Sequence, residues 1–174
     1  MILAKILNSI YKKDGIILED FSGQKYIIGN PKKNNPITLK LLKDNIEFIK
    51  HSMEYDFNIF LIMPPAYGKG NTEEGVFEFY KQIIKNAPKV KIILYNFEKL
   101  SGFKFEVNFV KKLVSSYPKN IIGCKDSTYN LYEKIKIKDF LMFPGDESKL
   151  LQGLEIGCAG CISAIANVTH KLAR

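Results

Sequence analysis

A single lysine with apolar neighbours is the residue of this sequence best suited to covalent chemistry. Lys125 follows the apolar run Ile121–Cys124 and precedes the polar run Asp126–Thr128. Apolar surroundings disfavour the charged ammonium form of a lysine and so leave more of the nucleophilic amine. Such an amine can form a Schiff base with the carbonyl group of a substrate. A lysine after an apolar run is more often a surface residue with a buried stem, so other residues must support this interpretation.

Another apolar run, Lys91–Leu94, ends in the polar pair Tyr95-Asn96, thirty residues before Lys125. Blocks at residues 60–69, 143–147 and 157–167 also combine apolar residues with polar or turn-forming ones. For Tyr95 the alternative is a buried tyrosine with a hydrogen-bonded hydroxyl. For residues 145–147 a plain turn fits equally well, because acidic side chains stabilise the start of a following helix.

From Thr38 onward, segments with helical spacing of apolar residues alternate with short continuous apolar runs. Such alternation predicts a parallel sheet with helices packed outside it, and hence an α/β fold. The predicted strands are Asn58–Met63, Val90–Tyr95, Ile121–Cys124, Phe140–Phe143 and Ala159–Ser163. The predicted helices are Leu39–Met53, one that starts at Thr72, Glu106–Ser116, Leu131–Ile137 and Ser148–Ile156.

Several blocks, in a fixed order, resemble the dihydrodipicolinate synthase and N-acetylneuraminate lyase family of pyruvate-dependent class I aldolases. They are residues 60–69, 91–96, 121–128, 143–147 and 157–167, and the resemblance runs from about residue 46 to the C-terminus. The family fold is the TIM (β/α)8 barrel. Because a barrel has eight strands and only about five βα units are predicted here, we expect an incomplete TIM barrel.

The resemblance also implies roles for the candidate residues. Lys125 corresponds to the lysine that forms the Schiff base with pyruvate or another 2-keto-acid, and Tyr95 to the tyrosine that carries a proton between substrate and lysine. Tyr67 matches a second tyrosine that, in the family, can complete a proton relay across a subunit contact. Because five parallel strands out of eight leave two open sheet edges, we expect a homo-oligomer. The positions that match the substrate end of the family's site are Gly145, Asp146, Glu147, Ser163 and Ile165. This chemistry implies no cofactor and no metal.

Two departures from the family pattern bear on activity. The dihydrodipicolinate synthases place an arginine, which binds the carboxylate of the aldehyde substrate, where this chain has Leu100-Ser101-Gly102. Leucine cannot make that bidentate contact. The Leu-Ser-Gly tripeptide instead resembles the neuraminate-lyase branch and other 2-keto-acid aldolases. We therefore do not expect the chain to synthesise a lysine precursor. The Gly-Thr-Thr-Gly-Glu run that holds the pyruvate carboxylate in the family occurs nowhere in the sequence. We therefore expect impaired or lost activity.

Residues 1–45 do not follow the alternating pattern. Residues 2–10 have apolar side chains at helical spacing and predict a short amphipathic helix. Residues 16–28 predict a β-hairpin with Gly23 at its turn, and residues 31–36 a polar linker bounded by prolines. Residues 14–45 resemble the N-terminal region of cyclopropane-fatty-acyl-phospholipid synthases. We expect an appendage over residues 1–45 and a partial aldolase-type barrel over residues 46–174.

The charge of the chain does not indicate nucleic-acid binding. The formal net charge is +8, but Arg174 is the only arginine among 26 basic residues. Base edges and phosphates are bound preferentially by the forked arginine side chain. The three cysteines predict no disulfide framework, and Cys158-Ala159-Gly160-Cys161 has zinc-knuckle spacing without a second pair of ligands. We expect a cytoplasmic protein that binds no nucleic acid and no membrane.

Three functional hypotheses follow from the sequence. The first is a Schiff-base lyase or aldolase that acts on pyruvate or a 2-keto-acid through Lys125 and Tyr95. The second is a non-catalytic remnant of a rearranged gene, which the missing carboxylate-binding run favours. The third is a lipid-surface or partner-binding protein led by the N-terminal helix.

Overall fold

The computed structural model describes the backbone of residues 7–12, 15–19, 25–28, 36–65 and 71–165, and side chains within these ranges from residue 42 onward. The chain divides into two compact units, Met1–Leu41 and Leu42–Arg174.

The N-terminal unit contains an antiparallel sheet of three strands, β1 (Leu7–Lys12), β2 (Gly15–Glu19) and β3 (Lys25–Ile28). The predicted hairpin is confirmed, since β2 pairs with β3 from Ile16↔Ile28 to Glu19↔Lys25.

The helix predicted over residues 2–10 is wrong in its described part. Residues 7–10 belong to β1, where Ile10 pairs with Ile17 of β2, and residues 1–6 lie outside the described part of the chain. A helix this short is marginal in water by itself, whereas a strand gains backbone hydrogen bonds from its neighbour. The hypothesis of a lipid-surface protein led by this helix loses its structural basis.

The second unit is built on a parallel sheet in the order β4-β5-β6-β7, so the predicted α/β fold is confirmed. Its strands are β4 (Ile59–Ile62), β5 (Lys91–Asn96), β6 (Ile121–Asp126) and β7 (Leu141–Pro144). The helices are α1 (Pro36–Met53), which begins within the last residues of the N-terminal unit, α2 (Glu73–Asn86), α3 (Glu98–Ser101), α4 (Val107–Ser116), α5 (Leu131–Lys134) and α6 (Leu150–Glu155). A 3-10 turn, Glu147–Lys149, precedes α6.

The helix boundaries follow local chemistry. The helix predicted to start at Thr72 does so: the Thr72 Oγ1 accepts a hydrogen bond from the Gly75 N–H at 3.1 Å and caps α2. The short helix α3 was not predicted. It ends at Gly102, whose φ of 66° is less strained in glycine than in a residue with a Cβ, and the Gly102 N–H donates to the carbonyl of Glu98.

The fifth predicted strand, Ala159–Ser163, is not formed as a regular strand. The segment runs beside β7, where the Ala159 N–H donates to the Met142 carbonyl at 2.9 Å and the Ile162 N–H to the Pro144 carbonyl at 3.1 Å. Gly160 lies between these bonds with φ 149°, a value that side chains with Cβ rarely adopt. The backbone at Gly160 interrupts the ladder, so the prediction of a strand over Ala159–Ser163 is wrong, although the segment is hydrogen-bonded to β7.

The hydrophobic core lies on one face of the parallel sheet, between the strands and the helices. The buried strand residues on this face include Phe60, Ile62, Ile92, Leu94, Cys124 and Met142. The helix residues in the same cluster include Val76, Phe79, Tyr80, Ile83, Phe109, Val110 and Leu113. Each such side chain contributes roughly 1.5–3 kcal/mol when buried. The hydroxyl of Tyr80 is satisfied by the Ile62 carbonyl at 2.9 Å.

The other face of the sheet, which we call the open face, carries apolar side chains that remain exposed. Ile59 is 57% exposed, Leu61 41% and Leu141 41%. In a closed barrel the corresponding face lines the interior, so these residue types are expected there. None of the helices within the described ranges is long and apolar enough to cross a membrane.

We expect the full chain to self-associate, because an exposed apolar sheet face of this kind forms an interface or aggregates. Size-exclusion chromatography with light scattering should give a mass well above 19.9 kDa. Leu61→Lys should lower that mass. The matched control is Ile62→Lys at the next residue of β4. Ile62 is buried in the core, so this substitution should unfold the chain. A sharp monomer peak with a cooperative thermal transition would contradict this expectation.

Candidate active site

Lys125 lies near the carboxyl end of β6, between Tyr95 of β5 and Phe143 of β7 in the sheet register. Its neighbours in sequence, Cys124 and Asp126, are buried among the core residues. Because successive strand residues point to opposite faces, Lys125 projects from the open face. Tyr95 projects from the same face for the same reason and, like Lys125, is half-buried.

The lysine and the tyrosine are in direct contact. The Lys125 Nζ lies 4.2 Å from the centroid of the Tyr95 ring. A cation over an aromatic face at this distance gains about 0.5–1 kcal/mol at exposed sites and ~2 kcal/mol when desolvated. The Tyr95 ring is itself packed against Phe97, with centroids 5.8 Å apart. The structure thus brings together the two residues that the sequence analysis placed at the centre of the chemistry.

A buried polar pair lies directly behind them. The Asn96 Nδ2 donates to the Asp126 Oδ1 at 2.8 Å, and both residues are almost inaccessible to solvent, at 0% and 4%. Asp126 also accepts hydrogen bonds from the backbone N–H groups of Thr128 and Tyr132, both at 3.0 Å. Burial raises the pKa of the Asp126 carboxyl, while these hydrogen bonds act in the opposite direction.

No role of Asn96 or Asp126 is predicted from the sequence. Each directly follows a candidate residue, Tyr95 or Lys125, and that adjacency is the signal that the sequence offers for them. Their pairing becomes visible only when the register places Asn96 opposite Asp126.

The loop after β7 packs tightly against the loop after β6. The Gly145 N–H donates to the Asp126 carbonyl at 2.8 Å. A Cβ on Gly145 would lie 2.0 Å from the Ser127 Oγ, closer than any real contact. Asp146 is exposed and caps the following turn: its Oδ1 accepts from the Ser148 N–H and hydroxyl, and these bonds lower the pKa of Asp146. Asp146 therefore has the capping role of the plain-turn alternative.

The remaining substrate-side candidates lie beside this loop. The buried Ser163 donates a hydrogen bond from its hydroxyl to the Glu147 carboxylate, and the Ile165 N–H donates to the Ser163 Oγ at 3.2 Å. Burial raises the pKa of the Cys161 thiol, the negative charges of Glu147 and Asp146 act in the same direction, and the positive charge of Lys125 acts in the opposite direction.

Tyr67 lies outside the described residues. The flanking segments are joined by Asn71, whose Nδ2 donates to the Pro65 carbonyl at 2.8 Å and to the Ser101 carbonyl at 3.2 Å. Leu100, in α3, is 42% exposed.

The chain is thus a parallel α/β protein in which a lysine and a tyrosine are in contact near the carboxyl ends of two adjacent strands. The model of the Dihydrodipicolinate synthetase family matches residues 40–174, and the chain belongs to that family.

Curated relatives show how much of the family's length is present. The 4-hydroxy-tetrahydrodipicolinate synthase of Wigglesworthia glossinidia brevipalpis is 37% identical over 153 residues, which are 83% of this chain and 50% of that protein. The enzyme of the same name from Bartonella bacilliformis is 33% identical over 133 residues, 73% of this chain and 44% of that protein. The chain thus spans about half the length of the curated relatives it matches.

Solved structures give the same result for the fold. The 2-keto 3-deoxygluconate aldolase from Picrophilus torridus superposes with a TM-score of 0.68 at 26% identity, over 76% of this chain and 49% of that one. A sialic acid aldolase from Ruminococcus gnavus, a catalytic lysine mutant, gives 0.69 at 21% identity, over 76% and 44%. These neighbours are TIM barrels of which this chain covers about half, so the predicted incomplete TIM barrel is confirmed.

We expect Gly123→Ala to destabilise the second unit, because a Cβ on Gly123 would lie 2.5 Å from the Leu141 carbonyl oxygen of the neighbouring strand. Overpacking of this kind costs about 1–3 kcal/mol. The free energy of unfolding in urea is the measurement. The matched control is Gly75→Ala in α2, where the new Cβ would make an ordinary contact at 3.5 Å and should not destabilise the fold. Equal stabilities of the two variants would contradict the close approach of β6 and β7.

Proposed function

We propose that this chain forms a Schiff base between Lys125 and pyruvate or a related 2-keto-acid, with Tyr95 as the proton carrier. The observation that supports this proposal most directly is the contact of the Lys125 Nζ with the Tyr95 ring at 4.2 Å. The contact occurs near the carboxyl ends of parallel strands, where the active sites of TIM barrels lie.

The chemistry follows from these two side chains. The neutral lysine amine attacks the keto carbon, and the carbinolamine loses water to form an iminium ion. The iminium accepts the electron pair that is left when the adjacent carbon loses a proton or when a carbon–carbon bond breaks, and it thereby becomes an enamine. The Tyr95 hydroxyl donates and accepts the protons that are transferred in these steps. The lysine itself is the covalent catalyst.

We further propose a 2-keto-acid aldolase or lyase rather than a lysine-precursor synthase. Leu100 is apolar and half-exposed where the synthases place an arginine, so a second carboxylate has no bidentate partner at this position. Glu147, Ser163 and Ile165, together with Gly145 and Asp146, are assigned to the substrate end of the site. We also propose that Tyr67 takes part in a proton relay across a subunit contact, which requires the proposed homo-oligomer.

Turnover is expected to be impaired. The sequence has no Gly-Thr-Thr-Gly-Glu run to hold the keto-acid carboxylate. Orientation of the reacting groups can supply up to about 7–11 kcal/mol of a barrier, so its loss is severe. That absence also favours the second candidate function, a non-catalytic remnant, and imine trapping separates the two.

Treatment with pyruvate and borohydride should add the mass of one reduced pyruvate to Lys125, with low occupancy that rises at high pyruvate concentration. Reduction fixes the imine as a stable secondary amine, and peptide mass spectrometry locates it. Lys125→Arg should abolish the label. The control is Lys104→Arg, which removes another lysine over an aromatic ring, 5.1 Å from the Tyr129 centroid, but one that is ion-paired to Glu106.

Retention of the label in Lys125→Arg would reject the assigned lysine. Complete absence of label on the full chain at high pyruvate would support the non-catalytic alternative.

Tyr95→Phe should slow proton transfer while leaving the ring over the lysine. Exchange of the pyruvate methyl protons in deuterated water, followed by NMR, reports enamine formation. We expect this exchange to fall by about 10²–10⁴-fold, the typical contribution of a positioned acid or base. Borohydride labelling after long incubation should change little. An unchanged exchange rate would show that another group carries the proton.

A further inference from the structure

We infer that Asn96 and Asp126 are positioning residues that hold Tyr95 and Lys125 in contact. The inference rests on the proposed function only in so far as these two groups react. The positioning itself is a property of the fold and can be measured without any substrate.

The pair joins the strand ends from which the reactive side chains project. Asn96 and Asp126 are opposite each other in the parallel register, and their side chains are hydrogen-bonded at 2.8 Å on the core side of the sheet. Tyr95 and Lys125 are also opposite each other, one position earlier, on the open face. Fixing the separation of one pair fixes the separation of the other, because the same two peptide segments carry both.

Further hydrogen bonds leave the pair no alternative arrangement. The Asn96 Oδ1 accepts from the Phe105 N–H at 3.2 Å, which determines which side of the amide faces Asp126. The two carboxylate oxygens of Asp126 bind the N–H groups of Thr128 and Tyr132, at 3.0 Å each. The polar atoms of both side chains are therefore hydrogen-bonded. A buried network in which every group has a partner favours one geometry.

The backbone of the same residues extends this network to the neighbouring loops. The Ser127 N–H donates to the Asn96 carbonyl at 2.9 Å, and the Gly145 N–H donates to the Asp126 carbonyl at 2.8 Å. The ends of β5, β6 and β7 are thus joined through two residues. A buried carboxylate is costly to desolvate, and well-packed apolar residues are often at least as stabilising. The buried Asp126 carboxylate is therefore better explained by a requirement for fixed geometry than by a gain in stability.

The opposite ends of β5 and β6 provide a matched control. The Asn120 Nδ2 donates to the carbonyls of Pro88 and Val90, both at 2.8 Å, and so links the start of β6 to the segment that leads into β5. Asn120→Ala removes side-chain hydrogen bonds between the same parts of the fold, but at the far end from Lys125. A general loss of stability affects both sites, whereas loss of positioning affects only the pair near the lysine.

The test is NMR of the full chain, because the Tyr95 ring current should shift the Lys125 ε-methylene protons upfield. Tyr95→Leu should abolish this shift and so identify the signal. Asp126→Asn replaces an acceptor with a donor facing N–H groups, and should reduce the upfield shift by at least half. The double exchange Asn96→Asp with Asp126→Asn should recover part of it. Asn120→Ala should leave it unchanged at equal folded fraction.

Pyruvate trapping provides a second measurement. Occupancy of the label at Lys125 should fall at least tenfold in Asp126→Asn and less than twofold in Asn120→Ala. If the unsubstituted chain traps no pyruvate, the proposed function fails, and the NMR shift alone decides the positioning role.

An unchanged shift in folded Asp126→Asn, or an equal loss in Asn120→Ala, overturns the inference. If Asp126→Asn does not fold, Asn96→Ala, which removes only one hydrogen bond from the carboxylate, decides by the same criteria.

Discussion

The parallel pairing of β5 and β6 at their carboxyl ends is the constraint on which the site depends. It places Tyr95 beside Lys125 on the open face and Asn96 beside Asp126 in the core. A shift of one strand by one residue would turn its entire set of side chains to the other face. The lysine would then lie among core residues and the carboxylate would lose its amide partner. Folding of this sheet and assembly of the site are therefore the same event.

Much of the second unit could be predicted from sequence, because its strands are short apolar runs and its helices have one apolar face. The predictions fail where a run is compatible with two structures. Residues 7–10 have apolar side chains that fit a helical face, but a neighbouring strand supplies hydrogen bonds that local spacing does not reveal. In Ala159–Ser163 the composition favours a strand, and the conformation of Gly160 interrupts it.

The candidate site was predictable to a similar extent. Lys125 alone gives a weak signal, and it could be singled out together with Tyr95 because the ordered blocks around them resemble a known family. The roles of Asn96 and Asp126 could not, because thirty positions separate them in the chain and only the register brings them together. Polar residues with a buried partner look, in a sequence, like polar residues of a solvent-exposed loop.

The close approach of Gly145 to Ser127 limits how this site can diverge. A Cβ at Gly145 would force Ser127 to move and would remain close to the Asp126 carbonyl, whereas Asp146, the next residue, is exposed and caps its turn. If the proposed function holds, new preferences for the distal part of a substrate would arise more readily at residue 146 than at residue 145. Position 145 restrains the loop after β7 against the loop that follows Lys125, whereas a change at position 146 leaves that contact in place.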